Sequence, residues 1–162
     1  MPHTQSRKAC EDLRKRLRKN GTTVVGYDRE NVAYFGKNAG RGKTSELAAI
    51  VQLCADDEKC YVFVLHAWSD CHPSFRDFMG DASIRKASIG AKTDDGFVQR
   101  RFPSITVEGS VEVRAHVKAH CKRLNIALPN QFNLPTLIDH LFQKHVEKNL
   151  VCGRLHCTLR CS

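Results

Sequence analysis

Apolar residues in this chain recur with two different periods, and the period changes along its length. Near the start Cys10, Leu13 and Leu17 fall at i, i+3 and i+7 among Lys and Arg, which is a single apolar stripe on a helix, and Gly21 can end it. Three runs that read as strands follow, over 22–30, 45–54 and 59–65. The first is rich in β-branched residues, and Asp56, Asp57 and Glu58 form the turn between the last two. They predict an antiparallel three-strand meander. Beyond it the pattern alternates: a helix over 73–79, a strand near 85–90, a helix over 94–101, a short strand near 105–107, and helices near 111–123 and 134–144. Strands followed by alternating helix and strand predict an α/β protein with a mixed sheet flanked by helices.

Composition fits this picture. At 162 residues, 41% hydrophobic and 27% charged, the chain is long enough to bury a core and ordinary for a globular protein. No apolar stretch approaches the roughly 20 residues that span a bilayer, and the N-terminus lacks the apolar core of a secretory signal. The expectation is an intracellular protein, nuclear or cytoplasmic, that is neither secreted nor membrane-embedded. Eight cysteines are scattered, several inside apolar strands, so Cys54 and Cys60 read as reduced buried thiols.

Charge changes the picture more. The chain carries 26 Lys and Arg against 17 Asp and Glu, a formal net charge of +9, which favours a polyanionic partner through phosphate contacts and counterion release. The excess gathers in the first helix and between Arg114 and Arg123. A third group, Lys37, Arg41 and Lys43, lies in a Gly-rich segment that invites a nucleotide-binding reading. A P-loop places four residues between its first Gly and the Gly-Lys-Thr, whereas five separate Gly36 from Gly42, and a strand follows rather than a helix. The reading kept is a flexible basic hairpin loop between the first strands, by default a solvated turn, with contact to a phosphate backbone as the functional alternative.

Candidate chemistry centres on Asp28 and Glu30. Alternate residues of a strand share a face, so both carboxylates project to one side. Two adjacent acids repel unless a cation or proton sits between them, which points to a hard-metal site. Cys152, His156, Cys157 and Cys161 could supply four zinc ligands, but their spacing matches no zinc knuckle. His116 and His120 lie one helical turn apart and read as surface residues.

Set in order, these features resemble the DEDD 3'-5' exonucleases of the ribonuclease D and Werner syndrome exonuclease type, over roughly residues 22–162. Val-Val-Gly-Tyr-Asp-Arg-Glu matches the family's first motif through Asp28 and Glu30, with Arg29 and Asn31 departing from the usual context. The strand Ile50-Val51-Gln52-Leu53-Cys54 matches the next strand with one residue inserted. Asp94, four residues after Gly90, matches the second motif, with Asp95 as fallback. Residues 134–141 look like the family's Leu-rich helix, which makes Asp139 a poor substitute for a fourth acid, and 159–162 like the start of its Arg-x-Ser-x-Trp segment. The third motif, a Tyr with an Asp four residues later, is expected beyond Ser162, so the domain reads as C-terminally truncated relative to the family.

The resemblance implies a ribonuclease H-like fold, with residues 1–21 a basic N-terminal helix and 22–162 the exonuclease-like domain. It implies that Asp28, Glu30 and Asp94 are both metal ligands and catalytic residues for two Mg2+ or Mn2+ ions roughly 3.5–4 Å apart, Asp28 bridging them. The substrate would be a single-stranded 3' end of RNA or DNA. Three readings stay open: an active exonuclease, with another acid or a protein partner completing the site; a silent nucleic-acid-binding module; and a protein scaffold of the same fold.

Overall fold

The computed structural model describes residues 3–31, 48–128, 136–137, 144–151 and 154–161. Its elements are α1 (His3–Lys19), β1 (Val24–Asn31), β2 (Ala48–Cys54), β3 (Cys60–Val64), a 3-10 turn (Leu65–Ala67), α2 (Pro73–Met79), β4 (Arg85–Ser88), α3 (Ala91–Arg101), β5 (Ser110–Glu112), α4 (Val113–Leu124), β6 (Lys144–Val151) and β7 (Arg154–Cys161). Five strands form one sheet in the order β3-β2-β1-β4-β5. The β1–β2 and β2–β3 pairs are antiparallel, which is the expected meander, and β4 and β5 add in parallel beside β1. The chain falls into two compact units, Met1–Val113 and Arg114–Ser162, and α1 lies within the first.

The core of the first unit sits on one face of the sheet. Val25 and Tyr27 of β1, Val51 and Leu53 of β2, and Tyr61 and Phe63 of β3 are buried there by strict alternation, under Leu13 and Leu17 of α1, Phe75 and Phe78 of α2, and Val98 of α3. Phe63 packs its ring 4.9 Å from Phe75, and Trp68 meets Phe75 edge-on at 5.3 Å. The opposite face carries Val24 and Val62, 42% and 39% exposed.

The stripe on α1 is buried as the spacing predicts, and Gly21 takes φ 58° at its end while the Thr22 N–H reaches back to the Leu17 carbonyl at 3.1 Å. Part of the basic face is used within the fold. Arg16 bonds Asp56 at 2.7 Å and Glu58 at 3.2 Å in the β2–β3 turn, Arg14 pairs with Asp81, and Lys59 reaches Asp12 at 3.2 Å. Those groups fix α1 to the domain.

Three expectations need correction. Residues 105–107 form no strand. Ile105 and Val107 alternate because they plug the core as extended chain, and pairing with β4 begins only at Ser110, after Gly109 turns at φ 70°. A Cβ at Gly109 would stand 2.6 Å from the Ile84 carbonyl oxygen, so that turn requires glycine. Val111 therefore belongs to β5, and α4 starts at Val113. It ends at Asn125, which takes φ 54°, with the Ile126 N–H on the Cys121 carbonyl at 2.9 Å. Finally, the helix expected over 134–144 is described only at 136–137, and Lys144 opens β6, which pairs antiparallel with β7 in register from Lys144↔Cys161 to Val151↔Arg154. Residues 159–161 are thus hairpin strand.

Candidate functional site

β1 is the strand on which the sheet changes direction. Its parallel register with β4 covers Val24–Gly26 against Arg85–Ala87, so Asp28 and Glu30 stand beyond that pairing, opposite Gln52 and Ile50 of β2. The crevice outside the carboxyl ends of parallel strands, where the strand order reverses, is where open α/β sheets hold ligands. Asp28 and Glu30 are both exposed there and lie on the face away from the core, side by side as the alternation predicts.

Asp94 is held differently. Gly90 at φ 94° turns the chain from β4 into α3, and the Asp94 N–H closes the first helical turn on the Gly90 carbonyl at 3.1 Å. The Glu112 carboxylate of β5 accepts from the Gly90 and Ala91 N–H groups at 2.9 and 3.2 Å, which satisfies donors at the helix start. From this turn the Asp94 side chain, 10% exposed, enters the core side of the sheet. One of its oxygens accepts from Arg29 Nε at 3.0 Å, and the other from the Ser88 hydroxyl at 2.6 Å. Arg29 is 11% exposed, and its guanidinium lies 3.7 Å over the Phe97 ring.

The surroundings are unusually polar for the buried side of a sheet. Burial pushes the Asp94 carboxyl above the usual carboxylate range, with the Asp28 charge acting in the same direction against the Ser88 hydrogen bond and Arg29. Asp95, the fallback acid, is also pushed up by burial, and Asp94 adds to that shift. Tyr27 is buried with no hydrogen-bond partner for its hydroxyl among the described residues, and burial raises its pKa, helped by Asp95 and Asp94. Nearby Lys86 is fully buried, its Nζ donating to the Asp81 and Glu108 carbonyls at 2.6 and 2.9 Å, and burial pushes its pKa down to about 8.

Among the described residues, no three His, Cys, Asp or Glu side chains come together as a metal-ligand set. The exposed Asp28 and Glu30 fit one divalent cation by donor chemistry and position. Asp94 does not fit in this arrangement, because a guanidinium already neutralises it on the core side. Lys37, Arg41, Lys43, Asp139 and Cys152 lie outside the described residues, as does the Gly-rich segment. His156, Cys157 and Cys161 lie on β7, and His116 and His120 one turn apart on exposed positions of α4. Arg29, Ser88 and Glu112 escaped sequence reasoning as parts of the site. A signal existed for the first two: Arg29 and Ser88 are polar residues at core-facing positions of strands, which a fold tolerates only when they are paired.

The mixed sheet, the position of β1 and the helices on its core face define a ribonuclease H-like domain. More particularly, the chain is similar in sequence to proteins named as 3'-5' exonucleases. It is 28% identical over 147 residues to the mouse bifunctional 3'-5' exonuclease/ATP-dependent helicase WRN, covering 88% of this chain and 9% of that protein. It is 22% identical over 115 residues to a 3'-5' exonuclease of Drosophila grimshawi, covering 71% and 33%. The chain thus spans a third or less of these relatives. Its fold matches the crystal structure of the EXD2 exonuclease domain with TM-score 0.57 and 20% identity, over 81% of this chain and 62% of that one. A crystal of that domain soaked in Mg and GMP matches equally, with TM-score 0.57 and 20% identity over 84% and 64%. No protein-family model matches the chain. No helix among the described residues is long and apolar enough to cross a membrane.

Proposed function

We propose that this chain is a nucleic-acid-binding 3'-5' exonuclease-like domain that hydrolyses phosphodiesters from single-stranded 3' ends with divalent metal. The observation that carries the reading is the exposed Asp28–Glu30 pair on β1, at the carboxyl end of the parallel strands in an exonuclease fold. Asp28 and Glu30 would hold Mg2+ or Mn2+; Asp94, the further ligand of the family pattern, would join them only when released from Arg29. When bound, such ions supply an activated water and neutralise charge on the leaving 3' oxygen. The chain's own residues do the rest: the carboxylate pair fixes where the scissile phosphate must sit, and the net charge of +9, including Lys37, Arg41 and Lys43, draws the polyanion to it.

The engagement of Asp94 by Arg29 favours a second reading, a domain that binds single-stranded nucleic acid without turnover. The test is a time course with 5'-labelled single-stranded RNA and DNA in Mg2+ or Mn2+, run beside Asp28→Ala. A 3'-shortening ladder abolished by Asp28→Ala is expected. Intact oligonucleotide that binds with a salt-dependent affinity would select the silent module, and neither cleavage nor binding would leave a scaffold.

A further inference from the structure

We propose that Arg29 is a built-in counter-ion that holds Asp94 out of the cation site, so that this chain binds divalent metal through Asp28 and Glu30 alone until the Arg29–Asp94 pair is broken. The inference rests on the metal role given to these acids above. Its evidence is the way the guanidinium is seated. Asp94 and Phe97 lie three apart on α3 and present one surface, the carboxylate 3.0 Å from Arg29 Nε and the ring 3.7 Å under its guanidinium. A planar cation fits between an anion and an aromatic face supplied by a single helix, and the compact ammonium of lysine would not.

Position and charge then act together. Arg29 projects from β1 to the face opposite Asp28 and Glu30, so an Asp94 that reaches Arg29 is committed to the far side of the strand. Each of its oxygens has a donor, Arg29 on one and Ser88 on the other, and the pair is nine-tenths buried. A divalent ion reaching for Asp94 would meet a carboxylate already neutralised and a positive charge beside it in a poorly solvated setting. Arg29 is therefore a positioning residue for Asp94, and its presence inside the Asp-x-Glu pattern sets the number of carboxylates open to metal.

Isothermal titration of Mn2+ into the 162-residue chain tests this. Arg29→Gln keeps a hydrogen-bond donor for Asp94 and removes the charge. It should bind Mn2+ about tenfold tighter than the native chain, equivalent to about 1.4 kcal/mol, and Mn2+ should raise its unfolding temperature by more. Combining it with Asp94→Asn should return the native affinity. Equal Mn2+ affinity in the native and Arg29→Gln chains, with binding lost in Asp28→Asn, would overturn the inference while leaving the metal reading intact. Mn2+ binding in none of the chains would overturn both. Should Arg29→Gln give no cooperative unfolding transition, Asp94→Asn decides alone. An unchanged Mn2+ affinity supports the inference, and a weakened one refutes it because Asp94 would then already be a ligand.

Discussion

The two faces of β1 carry opposite electrostatics on neighbouring residues. On the outer face Asp28 and Glu30 are exposed acids with water around them. On the inner face Tyr27 and Arg29 sit against α3, where Asp94 and Asp95 are held above the usual carboxylate range by burial. The same chemical groups, carboxylates, therefore differ in setting: the outer pair is open to solvent, whereas Asp94 has a cation supplied by the chain. A strand's period of two brings this about, since the residue between two that share a face necessarily faces the other way.

Breaking the inner face should cost most. Asp94→Ala leaves the Arg29 guanidinium buried without its carboxylate, and urea unfolding should show a loss of about 3–5 kcal/mol, while Arg29→Met combined with Asp94→Asn should lose less than Asp94→Ala. Lys86 gives the next effect through pH. Its pKa is about 8 in the folded chain against 10.5 for the free side chain, so between those values the unfolded chain binds the extra proton and folding stability rises with pH. That rise, on the order of a few kcal/mol across the window, should be absent from Lys86→Met when the two stability-versus-pH curves are compared. Tyr27→Phe removes a buried hydroxyl that has no partner among the described residues, and thermal unfolding should show a gain of about 1 kcal/mol. On the outer face, Asp28→Asn and Glu30→Gln should change stability by no more than about 0.5 kcal/mol, as exposed substitutions do. A large loss from either would mean the acids are structural.

Local pattern carried much of the fold. The α1 stripe, the three-strand meander, α2 and the Gly90 turn into α3 are each legible from spacing and turn residues within about a dozen positions. What was not legible depended on the partner. Ile105 and Val107 have the alternation of a strand, but whether such a segment pairs or plugs a core is decided by Gly109 and β4, which the alternation does not encode. At the end of the chain the Leu-rich pattern up to Leu141 suggests a helix, and the two described residues, Thr136 and Leu137, are helical; only the expected end at 144 is overturned, because residues from Lys144 pair with a strand that follows them. At the site, Asp28 and Glu30 could be placed on one face from sequence. Alternation also puts Arg29 on the other, but its bond to Asp94 joins positions 65 residues apart and depends on how α3 is rotated by Gly90 and Glu112.

The outer face is the centre of the account, and paramagnetic broadening by Mn2+ in an amide NMR spectrum tests it most directly. Trace Mn2+ should broaden resonances centred on Asp28 and Glu30 and on their cross-strand neighbours Gln52 and Ile50, and the broadening should vanish in a chain carrying Asp28→Asn with Glu30→Gln. No site-specific broadening, or broadening centred instead on the exposed acids of the β2–β3 turn, would contradict the assignment of this face as the metal-binding side of an exonuclease fold.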